Sequence, residues 1–192
     1  MRSYALLLVF AASLSAAQQP QPANHSPEFR SMEAKIAYLK QNAAKPRPDP
    51  KPTELTEPEV NAYFNEGGVK LPKGVSKVHL TSQSGVIDGH AQVDFEAIMQ
   101  GKRSSNALVS LFSGTHDVHM VAQASGSGGM GSLRVQSASI DGLELPQMAL
   151  QFFAQRFITP RYPNVGVNTT FKLPLRIDSA VVEAGRVALA QK

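Results

Sequence analysis

The chain has 192 residues, with 19 lysines and arginines against 15 aspartates and glutamates, five histidines and no cysteine. That length suffices for one domain with a real core, and the lack of cysteine excludes disulfides and thiolate metal sites. A pI of about 9.4 suits a nucleic-acid binder, but residues 18–51 carry the excess, six basic against three acidic side chains, while residues 52–192 carry twelve of each and offer no basic face to nucleic acid.

In chain order, Met1 and Arg2, the apolar run Tyr4–Leu14 and the small residues Ser15, Ala16 and Ala17 read as a secretory signal peptide over residues 1–17. Left uncleaved, the run would act as an N-terminal anchor, although it is shorter than the roughly 20 residues of a membrane span. An exported chain without cysteine points to a periplasmic or secreted protein of a bacterial envelope. Asn24-His25-Ser26 and Asn168-Thr169-Thr170 match the glycosylation sequon, but motifs this short arise by chance and are discounted.

Residues 18–44 form an N-terminal arm. Ser26 is placed to cap a helix with Pro27 at its first position and Glu28 in its first turn, and Phe29, Met32, Ile36 and Leu39 recur on one face. That face either docks on the chain's own domain or meets a membrane surface or partner. Residues 45–53, with Pro46, Pro48, Pro50 and Pro52, predict an extended linker. Lys35, Lys40, Lys45, Arg47 and Lys51 make the arm a candidate for peripheral contact with anionic headgroups.

Residues 54–192 form the domain. Thr56, Pro58 and Glu59 predict a capping box, with Leu55 and Val60 at the staple positions, Tyr63 and Phe64 on the buried face and Gly67 at the end. The period then becomes two: Val78 and Leu80 alternate with polar residues. After Ser84-Gly85, Ile87, Ala91, Val93 and Phe95 take one face and Asp88, His90, Gln92 and Asp94 the other. Ala107, Leu108, Leu111 and Phe112 favour a short helix. Val118, Met120, Ala122 and Ala124, then Leu133 and Val135, predict strands on either side of a glycine loop, and residues 177–190 predict a hairpin turning at Glu183-Ala184-Gly185. Hairpins without βαβ alternation indicate an α+β fold, with two or more helices packed on one face of an antiparallel sheet.

Ser137–Ile158 is the most unusual stretch. It reads as a strand end, an Asp141-Gly142 turn and an apolar helix in which Gln147, Gln151 and Gln155 form one polar stripe. Met148, Phe152, Phe153 and Phe157 make an apolar arc broader than a surface helix carries, so core, ligand or membrane must cover it. Ile-Asp-Gly occurs at 87–89 and again at 140–142, which reads as recurring turn chemistry.

No catalytic constellation emerges. Gly126-Ser127-Gly128-Gly129-Met130-Gly131 has the dinucleotide-fingerprint spacing, but the glycines precede a strand instead of a helix, so the stretch is a hairpin loop. His116 and His119 stand three apart on a strand and point to opposite faces, which prevents shared metal ligation. His79 and His90 lie on neighbouring polar faces but lack a placed carboxylate or third histidine and read as solvent-facing. Asp88, Asp94, Asp117, Asp141 and Asp178 are scattered, with no nucleophile elbow, so the reading is non-enzymatic, without cofactor or metal; a hydrolase would need carboxylates or histidines gathered by the fold.

Four stretches together resemble the bacterial LmeA-like phospholipid-binding family, related in shape to tubular lipid-binding (TULIP) domains. They are Leu55-Thr56-Glu57-Pro58-Glu59-Val60-Asn61, Leu71-Pro72-Lys73-Gly74-Val75, Ser139-Ile140-Asp141-Gly142-Leu143-Glu144-Leu145-Pro146 and Leu173-Pro174-Leu175-Arg176-Ile177. The resemblance spans about residues 55–190 and implies a half-TULIP-like sheet wrapped over helices, with an apolar groove for acyl chains. The expected function is therefore lipid binding, with Met148, Phe152, Phe153, Phe157 and Phe64 as candidate contacts. The alternative is an envelope interaction protein docking a partner through the Phe29–Leu39 helix.

Overall fold

The computed structural model describes residues 25–98, 114–155 and 166–192. The signal peptide, the helix expected near Ala107–Phe112, and Phe157 lie outside the described residues. No helix among those described is long and apolar enough to cross a membrane.

The fold is α+β, an open antiparallel sheet with four helices among the described residues. The strands are β1 (Thr53–Thr56), β2 (Val75–Gln83), β3 (Val86–Asp94), β4 (Thr115–Ser127), β5 (Met130–Ile140), β6 (Leu143–Glu144), β7 (Asn168–Lys172), β8 (Ile177–Glu183) and β9 (Arg186–Gln191). The helices are α1 (Pro27–Ala43), α2 (Glu57–Asn65), α3 (Phe95–Ile98) and α4 (Gln147–Phe153). The sheet runs β1-β9-β8-β4-β3-β2, and β5 branches from β4 to pair with β6 and β7. The join between β8 and β4 is a single bridge, Ala180 to Gly126. The β2–β3 hairpin also meets the β8–β9 hairpin, because Gly85 N donates to Val182 O at 3.0 Å and Gly185 N to Ser82 O at 3.2 Å.

Alternation decides the faces as expected. Val93 and Phe95 are buried with Ile140, and Val75, Ala91, Ile98, Val118 and Leu145 pack around them. Each fully buried side chain of this size contributes about 1.5–3 kcal/mol. The Asp141-Gly142 turn forms with both residues at positive φ, +49° and +79°, the left-handed pair that a two-residue hairpin requires. The earlier Ile87-Asp88-Gly89 does not turn. It lies inside β3, because Ser84-Gly85 has already reversed the chain and β3 is paired on both sides.

The glycine-rich stretch is tighter than a loop. β4 runs to Ser127 and β5 starts at Met130, leaving Gly128-Gly129 as a two-residue turn. Gly126 and Gly131 face each other across the ladder. A Cβ on Gly131 would lie 2.7 Å from the Phe171 ring, and one on Gly126 would lie 2.8 Å from Ala180 Cβ. The fingerprint-like spacing therefore serves close packing under β7 and β8.

The arm is bound to the domain. Ser26 Oγ accepts from Phe29 N at 3.1 Å, so α1 starts at its expected cap. Phe29, Met32, Leu39 and Asn42 are buried, and the Phe29 ring meets that of Tyr63 on α2 at 5.4 Å. A partner docking on this face would have to displace α2. The segment expected as an extended linker is a closed loop, with both the N–H and the carbonyl of Asp49 bonded to the Asn42 side chain at 2.9 Å. Each proline restricts its own φ but leaves the intervening residues free to turn.

Helix α2 runs along the edge of β2, bonded to its backbone through polar side chains. Asn61 accepts from Leu80 N at 2.7 Å and donates to Leu80 O at 2.8 Å; Asn65 donates to Val78 O, and Glu57 accepts from Ser82 N. Four helical residues rise about 6 Å, close to the roughly 6.6 Å between alternate strand residues, so a side chain every fourth residue can match every second strand residue. The helix stands in for a missing strand and blocks edge pairing. Asn61→Ala should cost about 1–2 kcal/mol and unmask the edge. Urea unfolding with sedimentation velocity checks this; a variant as stable and as monodisperse as the parent would refute the edge role.

Candidate functional site

The apolar corner is built from the end of β5 outward. The Asp141-Gly142 turn projects Leu143, Leu145 then returns to the Phe95 cluster, and Pro146 precedes α4, whose Leu150 N bonds back to Pro146 O at 3.0 Å. Leu143 is 70% exposed and Met148 83%. Gln147, Gln151 and Gln155 are all exposed, as their common stripe predicts, while Phe152 is half-buried and Ala154 buried. Of the other candidate contacts, Phe64 is half-buried on α2, whose main packing is against α1, β2 and β1.

Three cavities can be described. One of about 530 Å³ is bounded by Lys172, Leu173, Arg176, Asp178 and Lys192, and one of about 480 Å³ by mainly polar residues including Gln123, Arg134 and Thr170. An apolar one of about 60 Å³ lies among Leu55, Val60, Leu80, Ile87 and Val187. Neither Met148, Phe152 nor Phe64 lines any of the three. In the arm, Lys40, Lys45, Arg47 and Lys51 are exposed, whereas Lys35 is committed to Glu59, 2.6 Å away.

A second group gathers on the outer face of β3 and β4. Asp88 and His90 are two apart on β3 and so share a face. The ladder sets His119 of β4 directly opposite His90, and His79 of β2 opposite it on the other side. His119 Nε2 lies 3.0 and 2.9 Å from the two Asp88 oxygens, and His90 Nε2 lies 3.3 Å from Oδ1. The two imidazoles stack with centroids 4.1 Å apart and planes 11° from parallel. One donor atom each from Asp88, His90 and His119 fits within a 4.8 Å spread, a set with the composition of a metal centre.

His116 is on the other face, as the three-residue spacing requires, with Nδ1 2.6 Å from Asp141 Oδ2. The bonds from His116 and from Asp117 N hold the Asp141 carboxyl below its ordinary range.

The sequence placed His79 and His90 near each other and Asp88 on the same face as His90, but missed His119 as their company. The signal that would have found it is the β3–β4 register. No tight turn sets it, because residues 95–114 intervene between the two strands. No protein family matches the chain, and no curated protein or solved structure matches it.

Proposed function

We propose that this chain is an exported lipid-binding domain of the cell envelope that takes acyl chains at the β6–α4 corner. The carrying observation is the exposure of Leu143 and Met148 on either side of Leu145, which is anchored in the core. Covering each exposed side chain favours association by about 1.5–3 kcal/mol, enough for peripheral attachment once several act together. Phe152 stands one helical turn beyond Met148 on the same side, and Phe153 and Phe157 continue the apolar arc in sequence. The exposed Lys40, Lys45, Arg47 and Lys51 add attraction to anionic headgroups. The likeness to LmeA-like proteins supports the same reading, with the sheet as a half-TULIP-like wall.

The test has two arms: organic extraction of the purified native protein with lipid mass spectrometry, and flotation with anionic and neutral vesicles. The expected result is co-purifying lipid or vesicle binding, reduced at least about tenfold in Leu143→Asp/Met148→Asp. Protein that is reproducibly empty and ignores both kinds of vesicle would sink the proposal.

A further inference from the structure

We propose that Asp88, His90 and His119 form a binding site for a first-row divalent transition ion, with zinc as the reference case. The site is separate from the apolar corner and does not depend on the lipid reading. Bonds of about 2.0–2.1 Å in tetrahedral geometry put neighbouring ligand atoms roughly 3.3 Å apart. The Asp88 carboxylate already stands 3.3 Å from His90 Nε2 and 3.0 Å from His119 Nε2. Both imidazoles direct the same nitrogen to one carboxylate, and the near-parallel stacking of the rings keeps those nitrogens on one side. An ion seated among the three atoms would replace contacts that the carboxylate now makes with each ring. Two imidazoles and one carboxylate select zinc, copper or nickel over magnesium or calcium, which prefer oxygen ligands alone.

The scaffold is suited to this. All three side chains project from paired strands in an unbroken stretch of ladder. They are also reachable, with side-chain exposures of 37% for Asp88, 59% for His90 and 35% for His119. Three protein ligands leave a fourth position for water.

The experiment is calorimetric titration of the untagged full chain with zinc chloride and, separately, calcium chloride. Imidazole NMR of the unmodified protein runs alongside and keeps the result readable should a variant fold poorly. One zinc ion per chain is expected, with the His90 and His119 resonances shifting and those of His25 and His116 unmoved. His90→Ala and His119→Ala should each weaken zinc at least about tenfold, while His25→Ala leaves it unchanged. Absence of saturable zinc binding would overturn the proposal. So would zinc binding that survives both histidine variants, or calcium bound as tightly as zinc.

Discussion

Replacing Asn42 with alanine is expected to cost about 2–4 kcal/mol. Asn42 is 1% exposed near the end of α1, and both its amide hydrogens and its oxygen are bonded. Nδ2 donates to Asp49 O at 2.9 Å and to Gln191 Oε1 at 2.8 Å, while Oδ1 accepts from Asp49 N at 2.9 Å. Gln191, 3% exposed near the end of β9, then donates to Leu39 O at 2.8 Å and Leu175 O at 2.5 Å. These two amides tie α1, the proline loop, β9 and the turn before β8 into one network. Truncating Asn42 leaves Gln191 Oε1 buried without its donor, and that desolvation penalty dominates the cost. Urea unfolding of Asn42→Ala, Gln191→Ala and the double variant measures it. A coupling of about 1 kcal/mol or more is expected, since both residues belong to one network. Strictly additive losses would show that the two amides act independently.

Acid is expected to remove about 3 kcal/mol of stability through Glu59. Its side chain is 9% exposed between α1 and α2. Burial alone would raise its pKa, but the bonds from Lys35, Ser31 and Thr56 outweigh burial and bring it from 4.5 down to about 2. A carboxyl lowered on folding stabilises the native state fully at pH values above its unfolded pKa. The contribution fades as the pH falls from about 4.5 through about 2 and is gone below both. Glu59→Gln should therefore be less stable than the parent at pH 7, by an amount that shrinks as the pH drops through that window. Denaturant titrations of both proteins at pH 7, 4 and 2.5 decide this. A gap that stays constant with pH would mean that the carboxylate charge contributes nothing to the α1–α2 contact.

The same residue shows where local reading stopped. The place of Glu59 at the start of α2 was legible, because a capping box involves residues only three apart and is written in consecutive letters. Its pairing with Lys35, 24 residues earlier, was not, and Lys35 read from composition as a free charge on a basic arm. Charge counting treats a stretch as its own surface, whereas packing of α1 on α2 turns one of its cations inward. The proline loop misled for a related reason, since proline spacing favours an extended path but cannot know that Asn42 will hold Asp49.

The sequence by itself determined the elements whose causes are local. These are the Ser26 and Thr56 helix starts, the Asp141-Gly142 turn, the Gly185 hairpin, the two-faced β3 and the outward glutamine stripe around α4. Each follows from hydrogen bonds or periodicities spanning a few residues, so neighbouring letters are sufficient. Only the tertiary structure decided what lies across long loops: the Asn42–Gln191 pair 149 residues apart, the packing over Gly126 and Gly131, and the register that brings His119 opposite His90 beside Asp88. A one-residue slip in that register would turn His119 to the other face of the sheet, and with 20 residues between the strands no turn chemistry prevents the slip. The burial of Val93, Phe95 and Ile140 on the inner face holds the register, and it thereby places the histidines on the outer one.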